Sequence, residues 1–123
     1  MIRVFLDANI LIDLVEKRGQ ITSRDLSTYQ VYISPLTVYV LMYVTKRKIP
    51  YPKLEKISNQ FIQVAFDKVI VMKALQGPTV DFEDNVQLQS AAEAECDLFL
   101  TNDQKLLDLK FFGKAQISSQ VNI

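Results

Sequence analysis

Apolar residues follow two alternating rhythms along the chain. Short runs rich in branched and aromatic residues predict buried strands over Ile2 to Leu6, Val31 to Ile33, Lys68 to Met72 and Leu98 to Thr101, with a last short strand over Ala115 to Ile117. Between these runs the apolar positions recur at helical spacing. Ile10, Leu11, Leu14 and Val15 predict a helix beginning near Asn9 or Ile10 and stopping by Gly19. Thr22 to Tyr29 reads as a short helix. Pro35 suits the first turn of a helix running to about Lys48. Pro50 and Pro52 punctuate, and Lys53 to Ala65 then carries Leu54, Ile57, Phe61 and Ile62 on one face. Gly77-Pro78 breaks the chain before a long helix over Asp81 to Glu95, with Val86, Ala91 and Ala94 inward. Gln104 to Leu109 adds one more helical turn or two.

Strands that alternate with helices predict an α/β fold: three α/β/α layers around a mostly parallel sheet of four to five strands. At 123 residues, without repeats, low-complexity tracts or linkers, residues 1–123 read as one domain. A hydrophobic content of 49% supplies a core, and only 3 Gly and 4 Pro disfavour disordered or fibrous classes.

Composition narrows the chemistry further. Basic and acidic residues balance at 14 each, so any nucleic-acid contact must come from a local patch. The lone Cys96 excludes an internal disulfide and suits a reducing compartment. The absence of His removes Ser-His and Cys-His catalysis and His-ligated zinc. Carboxylates, hydroxyls, amides, lysines or a hard cation must do the work. Asp7 and Asp13 interrupt the apolar start, so no signal peptide is expected. No apolar run approaches the ~20 residues of a membrane helix, and a cytoplasmic protein without membrane contact is the expectation.

In parallel sheets, sites form at the C-terminal edge of the strands. Asp7 and Asn9 follow the first strand, Ser34 follows the second, and Thr101-Asn102-Asp103 close the strand that begins at Leu98. The long helix brings Asp81, Glu83 and Asp84 in its first turn. Parallel strands carry Asp7 and Asp103 to one edge, and a helix start packed beside it adds Asp84. Such acids repel one another unless a divalent cation sits among them. Oxygen-only donors point to Mg²⁺ or Mn²⁺, and a hydrated ion of that kind can activate water against a phosphodiester.

"FLDANILIDL", "ISPLT" ahead of a helix, and "DFEDNVQLQSAAEAECDLFLTND" together resemble a PIN domain, close to the VapC-type toxins of bacterial toxin-antitoxin pairs. The resemblance spans essentially the whole chain, and the last block is its most specific part. It implies a compact α/β/α fold, Mg²⁺-dependent cleavage of RNA, frequent homodimerisation and neutralisation by a small antitoxin. By this resemblance Asp7, Asp84 and Asp103 match the metal-site acids, Asn9 the polar residue two places after the first, and Ser34 the hydroxyl after the second strand. Thr101 and Asn102 join Asn9 and Ser34 as residues that position substrate or water. Two positions depart from the pattern. Val40 stands where the family usually has a glutamate, and Lys105 or Leu106 where a further acid sometimes follows Asp103.

Each candidate also has a structural reading. Asp7 and Asp81 are favoured helix caps, worth ~1 kcal/mol each. Glu83 and Asp84 complement a helix dipole by ~0.3–1 kcal/mol. The site reading is preferred for Asp7 and Asp84, the local one for Asp81 and Glu83. Thr101 and Asn102 divide between site and cap, and Ser34 is also placed to cap the Pro35 helix. The basic stretch "TKRKIPYPK" suits either a phosphate backbone or a solvated helix end. Tyr39, Met42 and Tyr43 divide between core and a dimer or partner contact. Cys96 reads as packing. The first functional expectation is therefore a Mg²⁺-dependent ribonuclease. The alternative is a module of the same fold that binds RNA or an antitoxin without turnover, because Val40 has replaced the glutamate. Haloacid-dehalogenase and response-regulator readings fit worse, since Asn9 and "TND" occupy positions where they need an aspartate and a lysine.

Overall fold

The strands are as apolar as a sheet covered on both sides demands. In the computed structural model, which describes residues 1–121, β1 (Arg3–Leu6) lies between β2 (Gln30–Ile33) and β4 (Leu98–Leu100). The six-stranded sheet runs β3-β2-β1-β4-β6-β5, with β3 (Ile62–Gln63), β5 (Phe111–Phe112) and β6 (Ala115–Ser118) completing it. All pairings are parallel except β5 with β6.

Alternation along β1 feeds two cores. Val4 and Leu6 join Ile10, Leu11 and Leu14 of α1 (Ala8–Val15), Leu41 of α2 (Pro35–Thr45) and Leu54 of α3 (Pro52–Gln60). Phe5 points the other way with Tyr32 and Phe99, against Leu88 and Ala91 of α5 (Phe82–Glu93) and Leu106 of α6 (Gln104–Leu107). Phe5 and Phe99 are register partners, with rings stacked at 5.5 Å. Burial of each stabilises the fold by about 2–3 kcal/mol. The result is the three-layer α/β/α arrangement, and the chain reverses direction across the sheet between β1 and β4.

Several expected elements differ. Lys68 to Met72 is not a strand but part of α4 (Lys68–Ala74). Asp67 caps it by accepting from the Ile70 N–H at 3.2 Å, and Ile70 and Ala74 turn inward one helical turn apart. A five-residue apolar run is too short for its period to separate helix from strand. The helix expected over Lys53 to Ala65 ends at Gln60; Phe61 is extended, and β3 adds to the sheet edge beside β2. The two-residue strands β3 and β5 bring the sheet to six strands instead of four or five. Thr22 to Tyr29 forms turns, closed by a Thr22 N–H donating to Asp25 at 2.9 Å. The helix expected to reach Lys48 stops at Thr45, where Lys46 turns left-handed with φ 54°. Among the described residues, no helix is long and apolar enough to cross a membrane.

The segment between α4 and α5 is fixed by one buried amide. Asn85 accepts from the Thr79 N–H and hydroxyl at 2.8 and 2.6 Å, and donates to the carbonyls of Ala74 and Thr79, both at 2.9 Å. Asn85→Ala would leave these buried groups unpaired. The expected loss is about 2–3 kcal/mol, read as a lower urea midpoint with unchanged slope.

Candidate active site

β1 ends in a carboxylate that cannot stay in the core unassisted. Asp7 is 4% exposed. Its Oδ1 accepts from the Ala8 N–H at 2.7 Å, capping α1, and its Oδ2 accepts from the Thr101 hydroxyl at 2.6 Å. The backbone N–H of Asp7 donates to the Leu100 carbonyl at 3.0 Å, which locks the ends of β1 and β4 together. Burial raises the Asp7 pKa above the usual carboxylate value. The hydrogen bonds from Thr101 and Ala8 and the nearby Gln87 amide oppose that rise, and the charge of Asp103 adds to it.

Thr101 is the hinge of the arrangement. Its oxygen also accepts from the Asp103 N–H at 3.0 Å, so one hydroxyl fixes both strand-end acids. Asp103 in turn caps α6 by accepting from the Lys105 N–H at 3.0 Å. On α5, Asp81 caps the helix through the Asp84 N–H at 2.9 Å, the local role expected for it. Glu83 does more than complement the helix dipole. It is half-buried, lines the cavity, and has its pKa raised by burial and by Asp81 and Asp7.

Asp7, Asn9, Glu83, Asp84 and Asp103 line one cavity of about 700 Å³. Burial pushes Asp84 up to about 7, with the charges of Asp81, Asp7, Asp103 and Glu83 contributing after it. Among the described residues no ion pair involves these acids, although exposed Lys105 lines the same cavity. Val40 also lines it, so the position where PIN domains usually carry a glutamate faces the acids with an alkyl group. Among the described residues no three acids converge closely enough to hold one ion directly. The expectation of three aspartates gripping one ion is therefore not met by the side chains as they stand. A hydrated Mg²⁺ needs less, since it usually takes roughly one or two carboxylates and keeps its waters. The all-oxygen donors, their mutual repulsion and the absence, among the described residues, of an ion pair to any of them suit such an ion.

Two expected positioning residues lie elsewhere. Ser34 is fully buried and accepts from the Leu36 N–H at 3.1 Å in a capping box with Thr37, so its hydroxyl serves α2. Asn102 is exposed and lines a separate cavity of about 270 Å³ with Ile10, Asp13 and Gln120. Conversely, the sequence gives no prominence to Gln87. This residue is 1% exposed, accepts from the Ala8 N–H at 2.9 Å and faces the Asp7 carboxylate. Its signal is a long polar side chain one turn past Asp84, between the inward Val86 and Leu88.

The family model for the PIN domain matches residues 3–105, from β1 through Asp103. The chain belongs to the PIN domain family. No curated protein matches this PIN domain. Among solved structures, VapBC2 from Rickettsia felis bound to a promoter DNA fragment is similar with a TM-score of 0.70 at 16% identity, covering 95% of this chain and 98% of that one. VapBC from Salmonella typhimurium bound to DNA gives 0.67 at 18%, covering 96% and 98%. FitAB bound to the IR36 DNA fragment gives 0.63 at 19%, covering 98% of each chain. At these identities the likeness is one of fold.

The raised pKa of Asp84 has a definite sign. Its protonated form is favoured by the fold, so its contribution to stability is complete below its ordinary value and is lost as pH rises through about 7. Asp7 and Glu83, also raised, act in the same sense. Asp84→Asn cannot ionise. Its thermal midpoint, measured in EDTA, should gain on the wild type between about pH 5 and about pH 8. A difference constant across that range would contradict the electrostatic account.

Proposed function

We propose that this PIN domain is a Mg²⁺- or Mn²⁺-dependent endoribonuclease of the VapC toxin type. The observation that carries the reading is one cavity in which Asp7, Asp84 and Asp103 repel one another with no ion-pair partner among the described residues, at the C-terminal edge of a parallel sheet. Membership of the PIN family over residues 3–105 supports it.

Asp7 and Asp103 are the residues to hold the ion, with Asp84 beside them. A bound Mg²⁺ supplies positive charge for the phosphoryl oxygens and makes water a better nucleophile near neutral pH. The protein's own part is to fix these groups in advance. Thr101 and the Ala8 N–H hold the Asp7 carboxylate in one orientation, and Thr101 sets the Asp103 backbone. Asp84 lines the cavity beside these acids and can accept a proton from an attacking water. Exposed Asn9 lines the cavity and can orient a phosphate or a water through its amide. RNA as the substrate, and the cytoplasm as the place of action, follow from the VapC-type reading.

The partner assignments belong to the same proposal. The similar solved structures are complexes named VapBC and FitAB, which supports a small antitoxin partner for this chain. Homodimerisation is supported by α4, which leaves Val69, Met72 and Leu75 at least half exposed at helical spacing.

Val40 favours a second reading, a module that binds RNA or an antitoxin without turnover. Metal titration separates the two. An ion that binds only the folded state should raise the melting temperature by roughly 5–10 °C at hundredfold excess over its dissociation constant. A flat response at millimolar Mg²⁺ or Mn²⁺ favours the binding module. For the enzyme, an RNA digest should run in Mg²⁺, stop in EDTA, and slow by at least about 100-fold in Asp7→Asn without loss of fold. Undiminished cleavage by Asp7→Asn would refute the site.

A further inference from the structure

The outer face of α2 is built unlike an ordinary surface helix. Its sequence is apolar nearly all round, yet only Thr37 and Leu41 are buried. Tyr39 and Tyr43 are 64% and 67% exposed, one helical turn apart, with ring centroids at 6.2 Å and planes at 22°. Leaving two large rings in water forgoes burial the core could have used. Both rings line the same cavity as Asp7, Asp84 and Asp103. Beyond them the helix is capped by Lys46, whose Nζ stands 5.6 Å from the Tyr43 ring, followed by exposed Arg47 and Lys48. Arg47 is paired with Glu16, which leaves Lys46 and Lys48 among the described residues without an ion-pair partner.

We propose that Tyr39 and Tyr43 are a stacking platform for two successive bases of single-stranded RNA flanking the acidic cavity, with Lys46 meeting the phosphate backbone. The proposal rests on the ribonuclease reading of the cavity and names how its substrate is gripped. Three features select this occupant. First, the platform is continuous with the acids, so a strand whose phosphate reaches them must lay its neighbouring nucleotides on the cavity wall. Second, the order along α2 is acid cavity, aromatic rings, then cations. Tyr39 and Lys46 lie about 10 Å apart along the helix axis, a span that fits one or two nucleotides. A base can stack on any aromatic face, and a basic groove beside such rings is how single strands are held without sequence readout. Third, a second copy of the chain seated on these rings would cover the acids and bar the substrate, whereas the aliphatic face of α4 offers that copy a separate site.

The test is fluorescence anisotropy of a labelled twelve-nucleotide single-stranded RNA with the full chain in EDTA, where binding is read without cleavage. Tyr39→Ala and Tyr43→Ala should each weaken binding five-fold or more, while Tyr39→Phe and Tyr43→Phe, which keep the ring, should bind as the wild type does. The same RNA annealed to its complement, with its bases already stacked and paired, should compete poorly. Lys46→Gln should weaken binding and flatten its salt dependence. Circular dichroism checks that each variant is folded, and light scattering gives its oligomeric state. Absence of RNA binding by the wild type, equal binding by the alanine and phenylalanine variants, or affinity lost only together with a dimer would each overturn the platform. A wild type that binds through the rings but never cleaves, in any metal, would overturn the ribonuclease reading and leave the platform standing.

Discussion

The structure is organised around a buried carboxylate at the end of β1. Asp7 sits in an apolar sheet, where an uncompensated charge would cost several kcal/mol. The Thr101 hydroxyl and the Ala8 N–H meet it, and Gln87 faces it from α5. Those contacts draw together four elements: β1, the turn after β4, the start of α1 and the middle of α5. The same contacts open a mouth at the point where the chain reverses across the sheet. Satisfying Asp7 and building the cavity are thus one event.

The acids gathered at that mouth work against the fold that holds them. Asp84 rises to about 7 because burial and like charges both disfavour its ionised form. The apolar layers offset this tension. Phe5 and Phe99 stack beneath the site, and Asn85 clips the segment that precedes α5 through hydrogen bonds to Thr79 and Ala74. Holding such groups together inside the fold, without ion-pair partners among the described residues, lowers its stability.

Two exposed apolar surfaces differ in chemistry. The α2 face is aromatic, opens on the acids and ends in lysines. The α4 face is aliphatic, with Val69, Met72 and Leu75. Val40 belongs to the first face, where it extends an apolar wall into the acidic cavity.

Local chemistry along the chain was readable, because its causes lie within a few residues. The apolar runs around Val4, Val31 and Phe99 are buried on both faces as their composition requires, and Asp81 and Ser34 cap helices as their positions suggest. Asp7 and Asp103 stood at strand ends in the sequence, and parallel pairing was enough to bring them to one edge. What needed the tertiary structure was everything decided by long-range packing. "KVIVM" became α4 because Ile70 and Ala74 found a partner in Val86 of α5, which no five-residue window contains. Ile62 and Gln63 became a strand only because β2 left an open edge. Ser34 turned away from the cavity, Asn102 faced a second one, and Gln87 reached Asp7 from 80 residues downstream in the sequence. A sequence fixes which groups must be satisfied; only the folded arrangement decides which distant neighbour satisfies them.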